Sequence, residues 1–564
     1  MTADTAAVPA SARSGRAIHP NLVLGIVLTA VFMQLLDVSI VNVAIPSIQR
    51  DLGASYSSVQ LVLAGYQLAF ACILITAARL GDIHGRRRLF MLGMTLFTLA
   101  SLACGLAPTA LTLVLSRIVQ GLSSGLMFPQ VLAVIQVTFA PRERGKAFGT
   151  LGATIGLATI LGPLVGGLLI KANLFGSDWR AIFLVNLPVG ISALVLAFRE
   201  LPESTAPDKP RLDLPGAALV TTGLFLLVFP LTEGRERGWP WWIYLMLIAA
   251  APLLVTFVLL QRRKTAANTG PLVQMTLFSN RSFWTGALLS AVFFLGVPPF
   301  FFSLSLYLQV GLGFSALHSG LTTFPFAIGS GLASARSDAL TRRLGTGVLA
   351  VGCALLAASM LALIVVLHAV GTDLSGWELA PVLFVAGLGL GLFIAPISNL
   401  VLAKITGREA GSASGVLSSV QQIGGSLGVA LIGILLFGLL GAHAATAAAG
   451  SAGQLRRDLA AAGLPAPAVS AAVARYETCF DRQAHASDPS RRPAGCTGPA
   501  GPAARAFARA GRDANATNFL HAIERTLLFE VAVFLLALGL VRLLPKVATS
   551  AVTQAAPAAA GASA

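Results

Sequence analysis

An aspartate at 37 and an arginine at 117 interrupt runs of residues that are otherwise almost wholly apolar. Inside lipid such a charge costs about 2.5 to 3.5 kcal/mol on insertion scales, and it persists mainly when paired or facing a cavity. Asp37 falls about 15 residues, roughly 23 Å, from one end of its run, and Arg117, on a run of opposite sense, about 16 residues from the matching end. The depths agree, so carboxyl and guanidinium can meet. A carboxyl that is neutral when partly buried and ionised when a guanidinium or outer water approaches is a proton carrier. On that reading Arg117 sets which state prevails; the other reading is an ion pair that only locks two helices. Glu530, the remaining acid within a run, lies about two turns from its outer end. It is expected to be interfacial and is a secondary acidic candidate.

Other chemistries lack their residues. The seven histidines are scattered over loops and run ends, and no nucleophile, metal or paired-carboxylate set shares one depth, so no enzyme is expected. There is no CxxC or Cys/His metal spacing. Gly145–Lys146 has neither the preceding glycine nor the following hydroxyl of a phosphate-binding loop. Without a nucleotide, metal or other cofactor, energy must come from an ion gradient. Gln34, Asn42 and Gln120, with Phe301 and Tyr307 beside Pro298 and Pro299, are candidates to line a cavity for a bulky apolar ligand that makes few hydrogen bonds.

Positioning these groups requires membrane helices. The chain has 564 residues, 55% hydrophobic and 11% charged, with a mean hydropathy of +0.80. A soluble protein carries about 25% charged residues. Runs of about 20 apolar residues, each able to cross a hydrocarbon layer of about 30 Å, recur along nearly its whole length. Spans are expected at about 22–45, 57–79, 88–107, 110–133, 147–170, 181–199, 212–232, 241–260, 283–307, 316–336, 346–368, 378–402, 412–440 and 522–544. This is an all-α polytopic membrane protein with fourteen spans. The formal charge of +16 sits between spans, which excludes nucleic acid as its cause. Arg86 to Arg88, Arg144 with Lys146, Arg262 to Lys264, and Arg342 with Arg343 share one side, which the positive-inside rule makes cytoplasmic, along with both termini.

The segment 441–521, rich in Ala, Gly, Pro and Arg, falls outside, where Cys479 and Cys496 are the pair able to bridge. Residues 1–20 and 546–564 read as disordered cytoplasmic tails. An internal repeat organises the rest. RERGKAFG at Arg142–Gly149 returns as REAGSASG at Arg408–Gly415, and the same offset pairs Gly121 and Gly125 with Gly387 and Gly391. Asp82, Arg86 and Arg87 likewise match Asp338, Arg342 and Arg343. Two parallel six-span halves, 21–200 and 266–545, with two inserted spans in 201–265, account for every match, and such repeats place a substrate site near the midplane between halves.

Here the sequence resembles the major facilitator superfamily, and within it the fourteen-span drug:proton antiporters. The likeness is carried in order by LDVSIVNVAIP at Leu36–Pro46, ARLGDIHGRRR at Ala78–Arg88, RIVQG at Arg117–Gly121, GPLVGG at Gly162–Gly167, WRAIFLVNLPVG at Trp179–Gly190, and YLQVGLGFSALHSGLTTFP at Tyr307–Pro325. Ala78 stands at the usual first glycine of the second motif, Ile83 at its usual basic residue, Ser39 where threonine is commoner, and Ala158 at a usual glycine. The resemblance implies proton coupling by Asp37 and Arg117, a cytoplasmic gate of Asp82, Gly85, Arg86 and Arg87, and an antiporter-motif hinge of Gly162, Pro163, Gly166 and Gly167. It also implies a monomer in a bacterial cytoplasmic membrane that exports an amphiphilic drug or antibiotic in exchange for protons. Proton-coupled uptake of a metabolite is the competing transport reading, which the span-five glycines disfavour.

Overall fold

A computed structural model describes residues 19–545 except 55, 141–142, 206–211, 235–236, 268, 403–404, 406–409, 486–495 and 497–501. Among the described residues the secondary structure is entirely helical, as lipid demands of a chain that must satisfy its own backbone groups. The N-terminal half holds α1 (Pro20–Leu52), α2 (Tyr56–His84), α3 (Arg86–Gly105), α4 (Ala110–Thr138), α5 (Arg144–Ala172), and a broken sixth span made of α6 (Ala181–Leu184) and α7 (Asn186–Glu200). Next come the inserted α8 (Leu214–Glu233) and α9 (Trp241–Ala266). The C-terminal half holds α10 (Arg281–Phe294), α11 (Val297–Leu306), α12 (Ala316–Leu344), α13 (Gly347–Val370), α14 (Ala380–Leu402), α15 (Ala410–Ala461), α16 (Ala466–Ala484) and α17 (Pro502–Leu540).

Local chemistry sets the helix ends. Thr109 and Thr112 form a reciprocal capping box on α4, Asp213 accepts the N–H of Gly216 on α8, and Ser315 accepts that of His318 on α12. Gly53 and Asn173 close α1 and α5 in the left-handed conformation. Among the described residues, twelve segments are both long and apolar enough to cross a membrane. The two expected spans outside that set, α5 and α12, are 29 residues each, about 43 Å long. α12 is rich in glycine, serine and threonine, whereas α5 keeps Leu161, Leu164, Val165, Leu168 and Ile170 among its glycines; the two pack on each other between the halves.

The halves meet where α5 packs on α12 and α14 and where α2 and α4 pack on α15. Residues matched in the repeat make matching contacts. A Cβ on Gly121 of α4 would fall on the Tyr66 carbonyl of α2, and a Cβ on Gly387 of α14 would fall on the Phe326 carbonyl of α12. The inserted pair lies at the periphery: α8 touches α2 and α15, while only 17% of the apolar window of α9 is buried. Leu245, Ile248, Val255 and Leu259 of α9 face outward, as suits lipid.

Two expectations change. The span expected at 283–307 is interrupted after Phe294, and it ends in a π-turn over Tyr307–Gly311. Pro298 and Pro299 supply no N–H, so the Phe294 and Leu295 carbonyls lose their helical donors. The outer segment 441–521 is helical over most of its length. The Ala-rich stretch beyond 440 favours helix, so α15 runs 52 residues, about 78 Å, and leaves the membrane. With α16 and the first turns of α17 it forms a small three-helix cap with its own core around Leu455, Leu459, Val469 and Tyr476. Cys479 and Cys496 are disulfide-bonded.

Gly121→Ala should force α4 off α2, an overpacking cost of about 1–3 kcal/mol. The purified variant should therefore lose several degrees of apparent Tm, while Gly25→Ala, whose added methyl meets nothing within 4 Å, should not move it.

Candidate functional site

Asp37 on α1 and Arg117 on α4 are fully buried and paired, with Arg117 Nη1 donating to Asp37 Oδ2 at 2.5 Å. The remaining lone pairs and donors are also used. Asp37 Oδ1 accepts from Gln120 Nε2 at 3.0 Å and from Asn186 Nδ2 at 2.9 Å. Both amides also donate to Ser101 Oγ, at 3.2 and 3.0 Å. Arg117 Nη1 reaches Gln120 Oε1 at 2.8 Å, and its Nε donates to the Val62 carbonyl at 3.3 Å. The guanidinium lies 4.2 Å from the centre of the Tyr66 ring, a favourable cation–π position, and the Tyr66 hydroxyl is anchored on Ser124 at 2.8 Å. Every partner of Asp37 is a donor, so the geometry is that of an ionised carboxylate.

Five spans of one half thus converge on one acid. Asn186 is held there by the break between α6 and α7, and Ser101 by its place on α3 facing the Phe183 carbonyl. Neither was singled out by sequence reasoning, although Asn186 lies within the WRAIFLVNLPVG motif as a lone amide in an apolar run, the same criterion that marked Asp37.

The cavity candidates separate. Gln120 belongs to the ion-pair network. Gln34 is buried and its Oε1 accepts no hydrogen bond, while the Asn42 side chain lies outside the described residues. Phe301 is partly buried, edge-on to Phe326 at 4.9 Å. Tyr307 is fully buried in the π-turn, beside Gly311 and Phe519. Sequence reasoning missed Gln67 on α2 and Gln422 on α15, whose side chains meet at 3.5 Å across the halves near mid-depth.

From Gln67 and Gln422 towards the His84 end of α2 the halves are closed. Asp82 is fully buried, accepts from Arg86 at 2.9 Å, and takes the backbone N–H of Ser412. It therefore sits at the positive end of α15 in the opposite half, where a carboxylate is favoured. The repeat supplies the mirror contact: Gly145 at the start of α5 faces Asp338, which pairs with Arg342. Gln136 Nε2 donates to the Leu402 carbonyl at 2.9 Å, and Ser414 Oγ reaches the Pro129 carbonyl at 3.5 Å. Ala78 is accommodated because Gly415 opposes it; a Cβ there would lie 2.6 Å from the Cβ of Ala78. Gly85 at φ +107° turns the chain into α3, and Arg87 binds the Phe198 carbonyl at 2.5 Å and, by its N–H, Glu203 at 3.2 Å. Arg87 ties the start of α3 to the end of α7 and, among the described residues, makes no bridge between halves. Arg142 and Arg408 lie outside the described residues.

The glycines of the GPLVGG motif place α5 against α1 beside Asp37. A Cβ on Gly162 would strike Ser39 Oγ, and one on Gly166 would lie 2.7 Å from Ile40, both just beyond Asp37 on α1. Gly167 is open, and the Pro163 side chain lies outside the described residues. Gly149, Gly152 and Gly156, on another face of α5, lie against Ser334 and Ser330 of α12. On the outer side Asp51 accepts from Arg180 at 2.5 Å and Trp179 at 3.0 Å; these donors hold its carboxyl below the ordinary range and tie α1 to the entry of the sixth span. Glu530, expected at the interface and within reach of water, is enclosed by protein. It is fully buried, because it lies on the face of α17 that also buries Ile523, Leu527 and Phe534.

Residues 27–429 match the family model for the Major Facilitator Superfamily. This chain belongs to that superfamily. It is 41% identical to the "Probable actinorhodin transporter" of Streptomyces coelicolor over 526 residues, 93% of this chain and 91% of that protein. It is 37% identical to the puromycin resistance protein pur8 of Streptomyces alboniger, over 78% of this chain and 87% of that one. The tetracenomycin C resistance and export protein of Streptomyces glaucescens is 34% identical over 77% and 78% of the two chains. In fold it is similar to the human organic anion transporter MFSD10 (TETRAN), with a TM-score of 0.53 and 14% identity over 93% of this chain and 99% of that one. A membrane transporter of the major facilitator fold, and not an enzyme, is the result.

In this major facilitator chain, Asp82→Asn removes the charge seated on the α15 N-terminus, an interaction worth up to about 2 kcal/mol when partly buried. Labelling of Ser414→Cys by an impermeant maleimide from the cytoplasmic side should rise several-fold in the Asp82→Asn background. Equal labelling in both backgrounds would remove Asp82 from the gate.

Proposed function

We propose that this chain exports an amphiphilic antibiotic across a bacterial cytoplasmic membrane in exchange for protons, acting as a fourteen-span monomer with both termini cytoplasmic. The observation that carries the reading is the buried Asp37–Arg117 pair, whose carboxylate also accepts from Gln120 and Asn186, in a chain whose relatives bear names of antibiotic transport and resistance.

Arg117 stays charged throughout, since guanidinium does not deprotonate in proteins. A proton arriving from outside neutralises Asp37 and turns one of its oxygens into a donor, which cancels the ion pair and leaves Gln120 and Asn186 without their shared acceptor charge. Arg117 retains the Val62 carbonyl and the Tyr66 ring. α1 is then released from α4, and the Gly162 and Gly166 contacts carry its displacement to α5. From α5 the opposite glycine face passes it to α12, the contact across the halves. With the outside closed and the Asp82 and Asp338 seats vacated, substrate enters from the cytoplasm or inner leaflet. Asp37 releases its proton inward, the pair reforms, and the substrate leaves outward. Each 1.4 kcal/mol of difference between paired and unpaired states shifts the two conformations tenfold.

Inverted membrane vesicles energised by respiration, with an interior pH dye, test this directly. Wild-type vesicles should release protons when actinorhodin, tetracenomycin C or puromycin is added, and Asp37→Asn should release none. Substrate-driven proton movement that survives in Asp37→Asn would discard the coupling role. Asn186→Leu removes one of the donors on Asp37 and should weaken coupling at least tenfold while leaving the folded yield intact.

A further inference from the structure

Glu530 is a carboxyl group whose two oxygens are both buried with no hydrogen-bond partner among the described residues. It occupies a place that would suit leucine, with Ile523 and Leu527 before it and Phe534 after it on the same buried face of α17. It stands about 15 Å from the C-terminal end of α17, well inside the hydrocarbon. An unpaired carboxylate there costs several kcal/mol, which the neutral acid largely avoids.

What lies opposite is not ordinary helix. A Cβ on Gly296 would come 3.0 Å from Glu530 Oε2, so the carboxyl abuts the interruption between α10 and α11. There the helix exposes its negative end: Pro298 and Pro299 leave the Phe294 and Leu295 carbonyls without helical donors, and α10 ends beside them. Discontinuous membrane helices commonly use such carbonyl ends to hold cations. Gly424, Gly425 and Gly428 bring α15 against the same interruption, where a Cβ on Gly428 would meet the Leu295 carbonyl.

The charged and titratable groups on the elements packed against α17 lie elsewhere. They are Arg281 on α10, Tyr307 in the π-turn, Cys353 and His368 on α13, and His443 on α15 with the cap residues Arg456, Arg457 and Asp458; α11 has none. On α17 itself, Glu524 lies near His368 and His521, at 3.5 and 3.8 Å, and Arg525 and Arg542 are more than a turn away. None pairs with Glu530 among the described residues.

We propose that Glu530 and the interruption of the ninth span form a second proton-binding site, in the half opposite Asp37, where the acid stores a proton that exchanges when α10 and α11 shift against α17. This goes beyond the Asp37–Arg117 coupling pair and stands on separate residues. Infrared spectra of the purified full-length protein in detergent, titrated from neutral to alkaline pH, test it. The C=O stretch of a protonated carboxyl should be present at neutral pH in wild type and in Asp37→Asn, be absent in Glu530→Gln, and fade reversibly as pH rises. Keeping Asp37→Asn as a separate arm means that loss of coupling there says nothing about the Glu530 band. Gly296→Ala, which places a methyl against Oε2, should move the midpoint of that titration while keeping the acid, and it serves if Glu530→Gln fails to fold. A band unchanged in Glu530→Gln, one that never titrates, or a midpoint unmoved in Gly296→Ala overturns the site.

Discussion

A guanidinium buried in lipid cannot be neutralised, and that constraint organises the N-terminal half. Arg117 must keep partners in every conformation, so four other spans send it or its carboxylate something to bind: Asp37 from α1, the Val62 carbonyl and Tyr66 ring from α2, Ser101 from α3 through the amides, and Asn186 from the broken sixth span. Buried ion pairs of this kind contribute little to stability, because desolvation consumes most of the Coulombic gain. Their leverage lies in what happens when one member changes charge. Breaking such a pair leaves an uncompensated charge worth about 3–5 kcal/mol. On the coupling we propose, a single proton on Asp37 has enough free energy behind it to move helices.

In that proposal the route from Asp37 to the other half runs through the glycine faces of α5. α5 presents one glycine face to α1 beside Asp37 and another to α12 across the halves, so both contacts are close backbone approaches. At the cytoplasmic end the two halves hold each other by reciprocal seats, Asp82 on the start of α15 and Asp338 against the start of α5. Each carboxylate meets a helix N-terminus, an attachment that is favourable yet small enough to be released and remade. The inserted α8 and α9 stand outside this machinery, tied at their cytoplasmic ends by Asp213, Gln261 and Lys264.

Much of this was readable in advance because lipid makes errors expensive. A charge inside an apolar run stands out, and Asp37 and Arg117 did; matching depths brought them together before any coordinates. Gln120 was read as cavity lining, since a sequence shows that an amide is deep and not which way it points. Asn186 went unremarked although its motif was noted, because its role depends on an interruption of the sixth span that turns it back towards α1. Glu530 was taken for an interfacial residue. The outer end of its span was placed at 522 by hydropathy, whereas its surroundings are set by α13, α15 and the interruption beside Gly296. The outer segment read as a loop, yet its alanine content already favoured helix, and its disulfide-bonded cap needed three segments to come together before it had a core.

Apolar run length, the placement of arginines and the repeat of RERGKAFG in REAGSASG are one-dimensional quantities, and the sequence by itself determined the helical membrane architecture, its two halves and the two charges that had to pair. Which donors surround Asp37, which glycine faces which helix and which acid is left without a partner depend on the rotation of each helix about its axis. A residue step turns that axis by about 100°, and only packing against neighbours chooses among the faces.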